Sequence, residues 1–271
     1  MSFRTYFDVP GSDASQLGEQ VARQRTRVTE RLRDVRRVVA VVSGKGGVGK
    51  SYVTASLARA LARTVEIGVL DADLQSPTIA YMLAARGPLR LTEDGVDPAV
   101  GADGIRVIST DLLLEDGHPF GWRTSAAEAH VWRGAMEASV LRELLGDARW
   151  GRLDTLLVDM PPDAARLVDL ATLVRDKLEA VAVTLPSEES ARSVQRALTT
   201  ARDTGVRILG IVENMSGYAC GTCSTVGPLF TGDAGERLAA TFDVPLLGRL
   251  PFVPRGVPRG MLPDSLVHSL R

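Results

Sequence analysis

The chain has 271 residues and a formal net charge of −1, with 45% hydrophobic and 24% charged side chains. That balance is ordinary for a folded globular domain and excludes a bulk electrostatic pull toward nucleic acid or a membrane surface. No apolar run approaches the length of a membrane-spanning helix, and Met1 to Pro10, with Arg4 and Asp8, does not read as a secretory leader.

Residues 1 to about 12 are expected to be disordered. From Ser12 to Val35 the chain is polar, with Leu17, Val21, Val28, Leu32 and Val35 at roughly helical spacing and Ser12 or Asp13 as N-cap. Glu19, Glu30 and Asp34 interleave its arginines, which favours a solvated helix over a site for an acidic partner. Residues 1–35 are therefore read as a tail and polar helix, and 36–271 as one domain.

Val38 to Val42 is an apolar strand pattern, Val53 to Ala62 a helical one, and between them lies Ser43-Gly44-Lys45-Gly46-Gly47-Val48-Gly49-Lys50-Ser51. Strand, glycine-rich turn and helix are the context that a G-x-x-x-x-G-K-S/T phosphate loop needs. Its glycines let successive N–H groups point at phosphate oxygens, and the helix N-terminus adds partial positive charge. Lys50 would reach the β- and γ-phosphates and the Ser51 hydroxyl would sit on Mg²⁺. Only three of the 32 basic residues are lysines, and two of those, Lys45 and Lys50, lie in this loop. A chain that otherwise uses arginine keeps the compact ammonium where phosphates are expected.

Val65 to Leu70 reads as a second buried strand and ends in Asp71-Ala72-Asp73. Carboxylates at a strand's carboxyl end beside a phosphate loop suit water orientation and Mg²⁺ support; the plainer alternative is a solvated turn. The stretch from Ala85 to Val131 offers one strand, Ile105 to Ser109, among turn signals. His118, His130 and His268 lack metal-ligand spacing and are read as surface or packing residues. An amphipathic helix follows Trp132 and runs through Leu145. Leu153 to Met160 is a buried strand whose Asp159 suits a position holding Mg²⁺ through water. Strand 180–185, helix 188–203 and strand 206–213 continue the alternation. The whole predicts an α/β fold with a mostly parallel central sheet and helices on both faces.

After that last strand come Glu213-Asn214-Met215-Ser216 and the pair Cys220 and Cys223 in a Gly-rich loop. Two cysteines spaced C-x-x-C do not suit a disulfide-stapled secreted protein, which places the chain in the cytoplasm. Two thiolates cannot fill a four-coordinate site, but a two-fold axis supplies four, enough for a 4Fe–4S cluster or Zn²⁺. Two merely packed thiols are the alternative.

The loop with Lys45 directly after its first glycine resembles the deviant Walker A loop of MinD/ParA-type ATPases. The ordered set at 43–51, 71–78, 132–136, 156–162, 213–216, the C-x-x-C and Gly248-Arg249-Leu250-Pro251 resembles the Mrp/ApbC-type iron–sulfur cluster carriers, a branch of that group, over residues 37 to 265. The resemblance implies a cytosolic homodimer that binds and hydrolyses ATP and carries a bridging 4Fe–4S cluster to apo-proteins from the cluster assembly machinery. It makes Lys45 the lysine that crosses the dimer, Asp73 the residue orienting attacking water, and Asp71 and Asp159 the Mg²⁺ shell with Ser51. Gly44, Lys45, Gly46, Gly47, Val48, Gly49, Lys50, Ser51 and Tyr52 would contact the nucleotide, Asn214 would face the adenine, and Cys220 and Cys223 would ligate the cluster. Lys45, Lys50 and Asp73 are the catalytic expectation.

Two departures bear on turnover. Tyr52 stands where the family usually has Thr, and Pro161-Pro162-Asp163-Ala164-Ala165 replaces Pro-Pro-Gly-Thr-Gly-Asp. Losing that glycine removes backbone freedom, and Asp163 brings a negative charge toward the γ-phosphate, so slow or absent hydrolysis is expected even with ATP bound. Two other readings stand behind the carrier: a nucleotide-binding scaffold or Zn-bridged dimer, and a MinD/ParA-type positioning ATPase. The last would want a membrane-binding helix or a basic stripe, and Leu262 to Arg271 supplies neither. Neither a nucleic-acid nor a membrane partner is expected.

Overall fold

The computed structural model describes residues 17–113, 126–220, 222–223, 225–253, 262 and 264–269. The expected disordered tail, His118 and the side chain of His130 lie outside the described residues, while His268 is exposed.

In chain order the helices are α1 (Leu17–Arg31), α2 (Lys50–Leu61), α3 (Ile79–Met82), α4 (Ala126–Asp147), α5 (Ala164–Val174), α6 (Glu188–Asp203), α7 (Ala234–Phe242) and α8 (Asp264–Ser269). The strands are β1 (Val35–Val42), β2 (Ile67–Asp71), β3 (Arg90–Thr92), β4 (Gly95–Asp97), β5 (Ala99–Val100), β6 (Arg106–Ile108), β7 (Leu153–Asp159), β8 (Leu178–Thr184), β9 (Arg207–Ala219), β10 (Val226–Gly227) and β11 (Leu246–Phe252). Nine strands form one sheet in the order β10-β9-β8-β1-β7-β2-β6-β5, with β11 on the other side of β9. All neighbours from β6 to β9, and β11 with β9, are parallel; only the short β5 and β10 run antiparallel.

The central strands are near-continuous apolar runs because helices cover both of their faces. From β1 the chain crosses over β7 to β2, whereas from β7 it crosses the opposite way to β8, then β9 and β11. Right-handed crossovers therefore set α2 on one face and α5, α6 and α7 on the other. The direction reverses between β1 and β7, and the crevice at their carboxyl ends is where such sheets bind ligands.

The polar helix α1 is solvated on one side only. Val28, Leu32 and Val35 are buried in the common core, and Arg27 pairs with Asp147 of α4 at 3.0 Å. At its end the third lysine, Lys177, donates to the carbonyls of Leu32, Arg33 and Val35 at 2.7, 3.3 and 2.9 Å. Three converging carbonyls suit a compact ammonium with three donors better than a planar guanidinium.

The largest difference from the sequence expectation is β9, which runs to Ala219 rather than stopping at 213. Beyond the end of β8 it keeps a partner in β11, through Leu250 opposite Asn214 and Phe252 opposite Tyr218. On its other side it turns back through β10, Gly227 opposite Tyr218 and Val226 opposite Ala219. The two cysteines thus sit at the tip of a hairpin, not in a loop that simply follows a strand. The segment before α4 also holds four short strands where the sequence suggested one.

Candidate nucleotide site and cysteine hairpin

The loop from Ser43 to Gly49 joins β1 to α2 at the reversal point. Gly44 is pressed against α6: a Cβ there would lie 2.0 Å from the backbone carbonyl carbon of Ser193. Gly49 caps α2 with φ +80°, and a Cβ would lie 2.2 Å from Asn214 Nδ2. On the outer side, Cβ atoms at Gly46 or Gly47 would meet nothing within 4 Å, so the loop opens outward. No side chain caps the start of α2. Its first-turn N–H groups are left for an anion at the mouth, as a phosphate would supply.

Beneath the mouth lies a buried polar cluster. Asp159 ends β7 with no exposure; its Oδ2 accepts from Ser51 Oγ at 2.6 Å and pairs with Lys50 Nζ at 2.8 Å. Its Oδ1 accepts from Thr54 Oγ1 at 2.8 Å. The β2–β7 register sets Asp71 directly beside Asp159. Asp71 Oδ2 accepts from the amides of Thr78 and Ile79 at 2.9 and 3.1 Å and from Ser109 Oγ at 3.3 Å. Burial first, and the neighbouring Asp159 charge second, push the Asp71 carboxyl up to about 7. Asp73 is half-buried, and burial raises its carboxyl too, with Lys50 pulling the other way.

A hydroxyl and two carboxylates, now balanced by the Lys50 ammonium, form an oxygen-rich donor set that fits Mg²⁺. The Lys50 cation on Asp159 stands in for the positive charge a metal would bring. Ser51 and Asp71 both neighbour Asp159 here, and Asp73 lines an adjoining cleft with Gln75, Glu137 and Arg166. Lys45 and Tyr52 are half-buried at the loop and on the first turn of α2.

Asn214 donates through Nδ2 to Val48 O at 2.9 Å, tying β9 to the loop. Its neighbour Glu213 accepts from the amide of Gly235 at 2.9 Å and pairs with Arg249 at 3.0 Å, which joins α7 and β11 to the same strand. Asp163 behaves differently from its sequence expectation. Its carboxylate caps α5, accepting from the amide of Ala165 at 2.9 Å, with Arg166 at 3.7 Å. Its charge is met by its own helix N-terminus and that guanidinium.

On the hairpin, Cys220 N–H donates to Thr225 O at 3.0 Å and the Cys223 thiol to Thr225 Oγ1 at 3.4 Å. Both thiols are free; Cys220 is half-buried and Cys223 exposed. Hydrogen bonds from the amides of Cys223 and Thr222 pull the Cys220 thiol down to about 7. Among the described residues no group of three or more His, Cys, Asp or Glu could hold a metal ion, and two thiolates alone do not fill a four-coordinate site. Beside it the Tyr218 and Phe252 rings stack at 6.4 Å, and Val226, Leu229 and Phe230 are exposed.

Two polar contributors escaped the sequence reading. Thr54 follows Lys50 by four residues and Ser51 by three, a spacing that puts all three on one helix face and was available as a signal. Ser109 reaches Asp71 from the residue just past β6, the neighbouring strand, and no local pattern announces it.

Residues 34–261 match the family model described as ParA, NUBPL iron-transfer P-loop NTPase. The chain belongs to this family. It is 37% identical over 246 residues to the iron-sulfur cluster carrier protein of Saccharolobus solfataricus, covering 89% of this chain and 80% of that protein. It is 38% identical over 231 residues to human cytosolic Fe-S cluster assembly factor NUBP2, covering 82% of each. A nucleotide-binding protein from Archaeoglobus fulgidus, solved in complex with ADP, superposes with a TM-score of 0.70 at 30% identity, over 91% of this chain and 93% of that one. The family member is thus a P-loop NTPase, with the mostly parallel sheet its sequence predicted.

Proposed function

We propose that this protein is an ATP-binding iron–sulfur cluster carrier that works as a cytoplasmic homodimer. The observation that carries the reading is the path of β9, which holds Asn214 against the phosphate loop and then delivers Cys220 and Cys223 to a hairpin tip. Nucleotide site and thiol pair share one strand. Two copies would supply the four thiolates that a 4Fe–4S cargo needs, and its recipients would be apo-proteins.

In this reading Lys50 leaves Asp159 for the β- and γ-phosphates, while the loop amides from Gly44 to Ser51 and that of Tyr52 orient the triphosphate. Ser51, with Asp71 and Asp159, holds the Mg²⁺, which would neutralise phosphate charge. Asp73 orients the attacking water, Lys45 reaches the partner's nucleotide, and Asn214 borders the base. Hydrolysis is expected to be slow, because Asp163 replaces a flexible glycine with a capped helix start. The names of the two relatives and the family description support the cargo assignment. The two thiols alone fit Zn²⁺ equally well, so a zinc-bridged dimer is the second reading.

Anaerobic reconstitution with iron and sulfide separates the two. About four irons per dimer, lost in Cys220→Ala/Cys223→Ala, is the expected result. Zinc at one per dimer in protein purified anaerobically, with no cysteine-dependent iron, would leave a nucleotide-binding zinc dimer instead.

A further inference from the structure

We infer that Thr54 is a positioning residue for the metal-facing carboxylate of Asp159. The inference rests on the reading that this loop takes a nucleotide with Mg²⁺. Thr54 has no exposure and sits on α2 among the buried Val53, Leu57 and Ala58, where packing alone would accept valine. Its Oγ1 lies 2.8 Å from Asp159 Oδ1 and 3.0 Å from the carbonyl of Lys50. A hydroxyl has one proton to give. The Lys50 carbonyl is already the acceptor for the α-helical bond from the amide four residues on. Asp159 Oδ1 has no second donor among the described residues, so the proton is worth most there.

The two oxygens of Asp159 thereby acquire different tasks. Oδ1 is held from behind by Thr54, and Oδ2 faces Ser51 and Lys50 at the mouth. When Lys50 turns to phosphate and Ser51 to the metal, Thr54 is the protein donor that stays on the carboxylate. Without it, a fully buried carboxylate is free to rotate, and each productive geometry must be found anew when the metal arrives. Partners that orient a metal-facing group in this way commonly shift metal affinity about 10- to 100-fold when removed.

The test uses the full chain, a fluorescent ATP analogue and Mg²⁺, with Thr54→Val and Thr54→Ser. Nucleotide affinity in EDTA is expected to stay within about twofold of the native protein for both variants, because the phosphate contacts lie elsewhere. The Mg²⁺ concentration giving half of the metal-dependent gain in affinity is expected to rise about tenfold in Thr54→Val and to remain near native in Thr54→Ser. If the valine variant does not fold, Thr54→Ser and Thr54→Ala, which differ by one hydroxyl, must split by the same factor. A native Mg²⁺ midpoint in the hydroxyl-free variant overturns the inference alone. Equal loss in the serine and hydroxyl-free variants also overturns it, since packing would then be the role. A native protein that binds the analogue with no Mg²⁺ effect, or not at all, overturns the metal reading together with it.

Discussion

At the loop mouth, Asp159 is wholly buried and takes Lys50, Ser51 and Thr54, while Asp71 beside it takes three amides and a hydroxyl. On the hairpin, Cys223 is exposed and its thiol meets Thr225 Oγ1 and the Cys220 thiol. The first region draws its buried polar cluster from five parts of the chain, all within one copy. The second hangs from a two-residue strand pairing and, in the proposed dimer, would supply two of the four ligands. The contrast follows from the tasks. Phosphate and metal charge are stabilised by dipoles fixed in advance, in a site screened from water. A cargo that must leave is better held by few, accessible ligands at an edge, and the exposed Tyr218, Phe252 and Val226 around them suit burial by another surface.

The strongest way to break this comparison is to cut one region and read the other. Cys220→Ser/Cys223→Ser should abolish reconstituted iron while leaving nucleotide affinity within about twofold, measured with the fluorescent analogue. Lys50→Ala should weaken nucleotide binding by roughly 100-fold, the loss of a buried charge-assisted contact. A cysteine variant that also loses nucleotide binding would show that the hairpin helps to build the mouth.

A smaller effect is expected where β9 touches the loop. Gly49→Ala puts a Cβ into Asn214 Nδ2 at a backbone φ of +80°. It should cost about 1–3 kcal/mol in denaturant unfolding and lower nucleotide affinity about tenfold. Gly46→Ala, with nothing within 4 Å of its Cβ, should change stability by less than about 0.5 kcal/mol. Equal costs at both positions would mean that the contact with Asn214 is not what demands glycine.

The pH dependence of the mouth is a further, finer measure. The Asp71 carboxyl is raised from 3.8 to about 7 on folding. Its contribution therefore favours the fold below its unfolded value and is lost as pH rises through 7. Asp71→Asn keeps an acceptor for the amides of Thr78 and Ile79 and removes the charge. The nucleotide-free variant should gain on the order of 1 kcal/mol at pH 8, and less at pH 5, in parallel denaturant melts. A gain that grows toward acid would contradict the assignment of burial and Asp159 as its causes. The smallest effect is on the hairpin. With the Cys220 thiol lowered to about 7, its alkylation rate in the metal-free protein should rise through neutrality. A midpoint near 9 would mean that the Thr222 and Cys223 amides do not hold the thiolate.

Much of the molecule was legible from the chain because its signals are local. The phosphate loop is one contiguous motif with its strand before and its helix after, and the alternation of apolar runs with helical patterns is read within windows of a dozen residues. Lys45 and Lys50 also stood out by composition. The third lysine shows the limit of that clue: Lys177 serves carbonyls of Leu32, Arg33 and Val35, so scarcity pointed to a compact ammonium but not to its partner. Asp163 was legible as a departure, yet its capping of α5 and pairing with Arg166 are visible only in place.

By itself, then, the sequence determined the α/β class, the loop and its flanking elements, the aspartates that end β2 and β7, and the thiol pair. These depend on periodicity and on neighbours in the chain. Only the tertiary structure decided that Asp71 and Asp159 stand side by side, that Thr54 holds the second oxygen of Asp159, and that Ser109 joins them from just past β6. It also decided that β9 continues past β8 to carry both Asn214 and the cysteines, since its continuation depends on β11 and β10 as partners. Strand register is a contract between segments far apart in sequence, and hydrogen-bonded pairing between them is information that no local pattern contains.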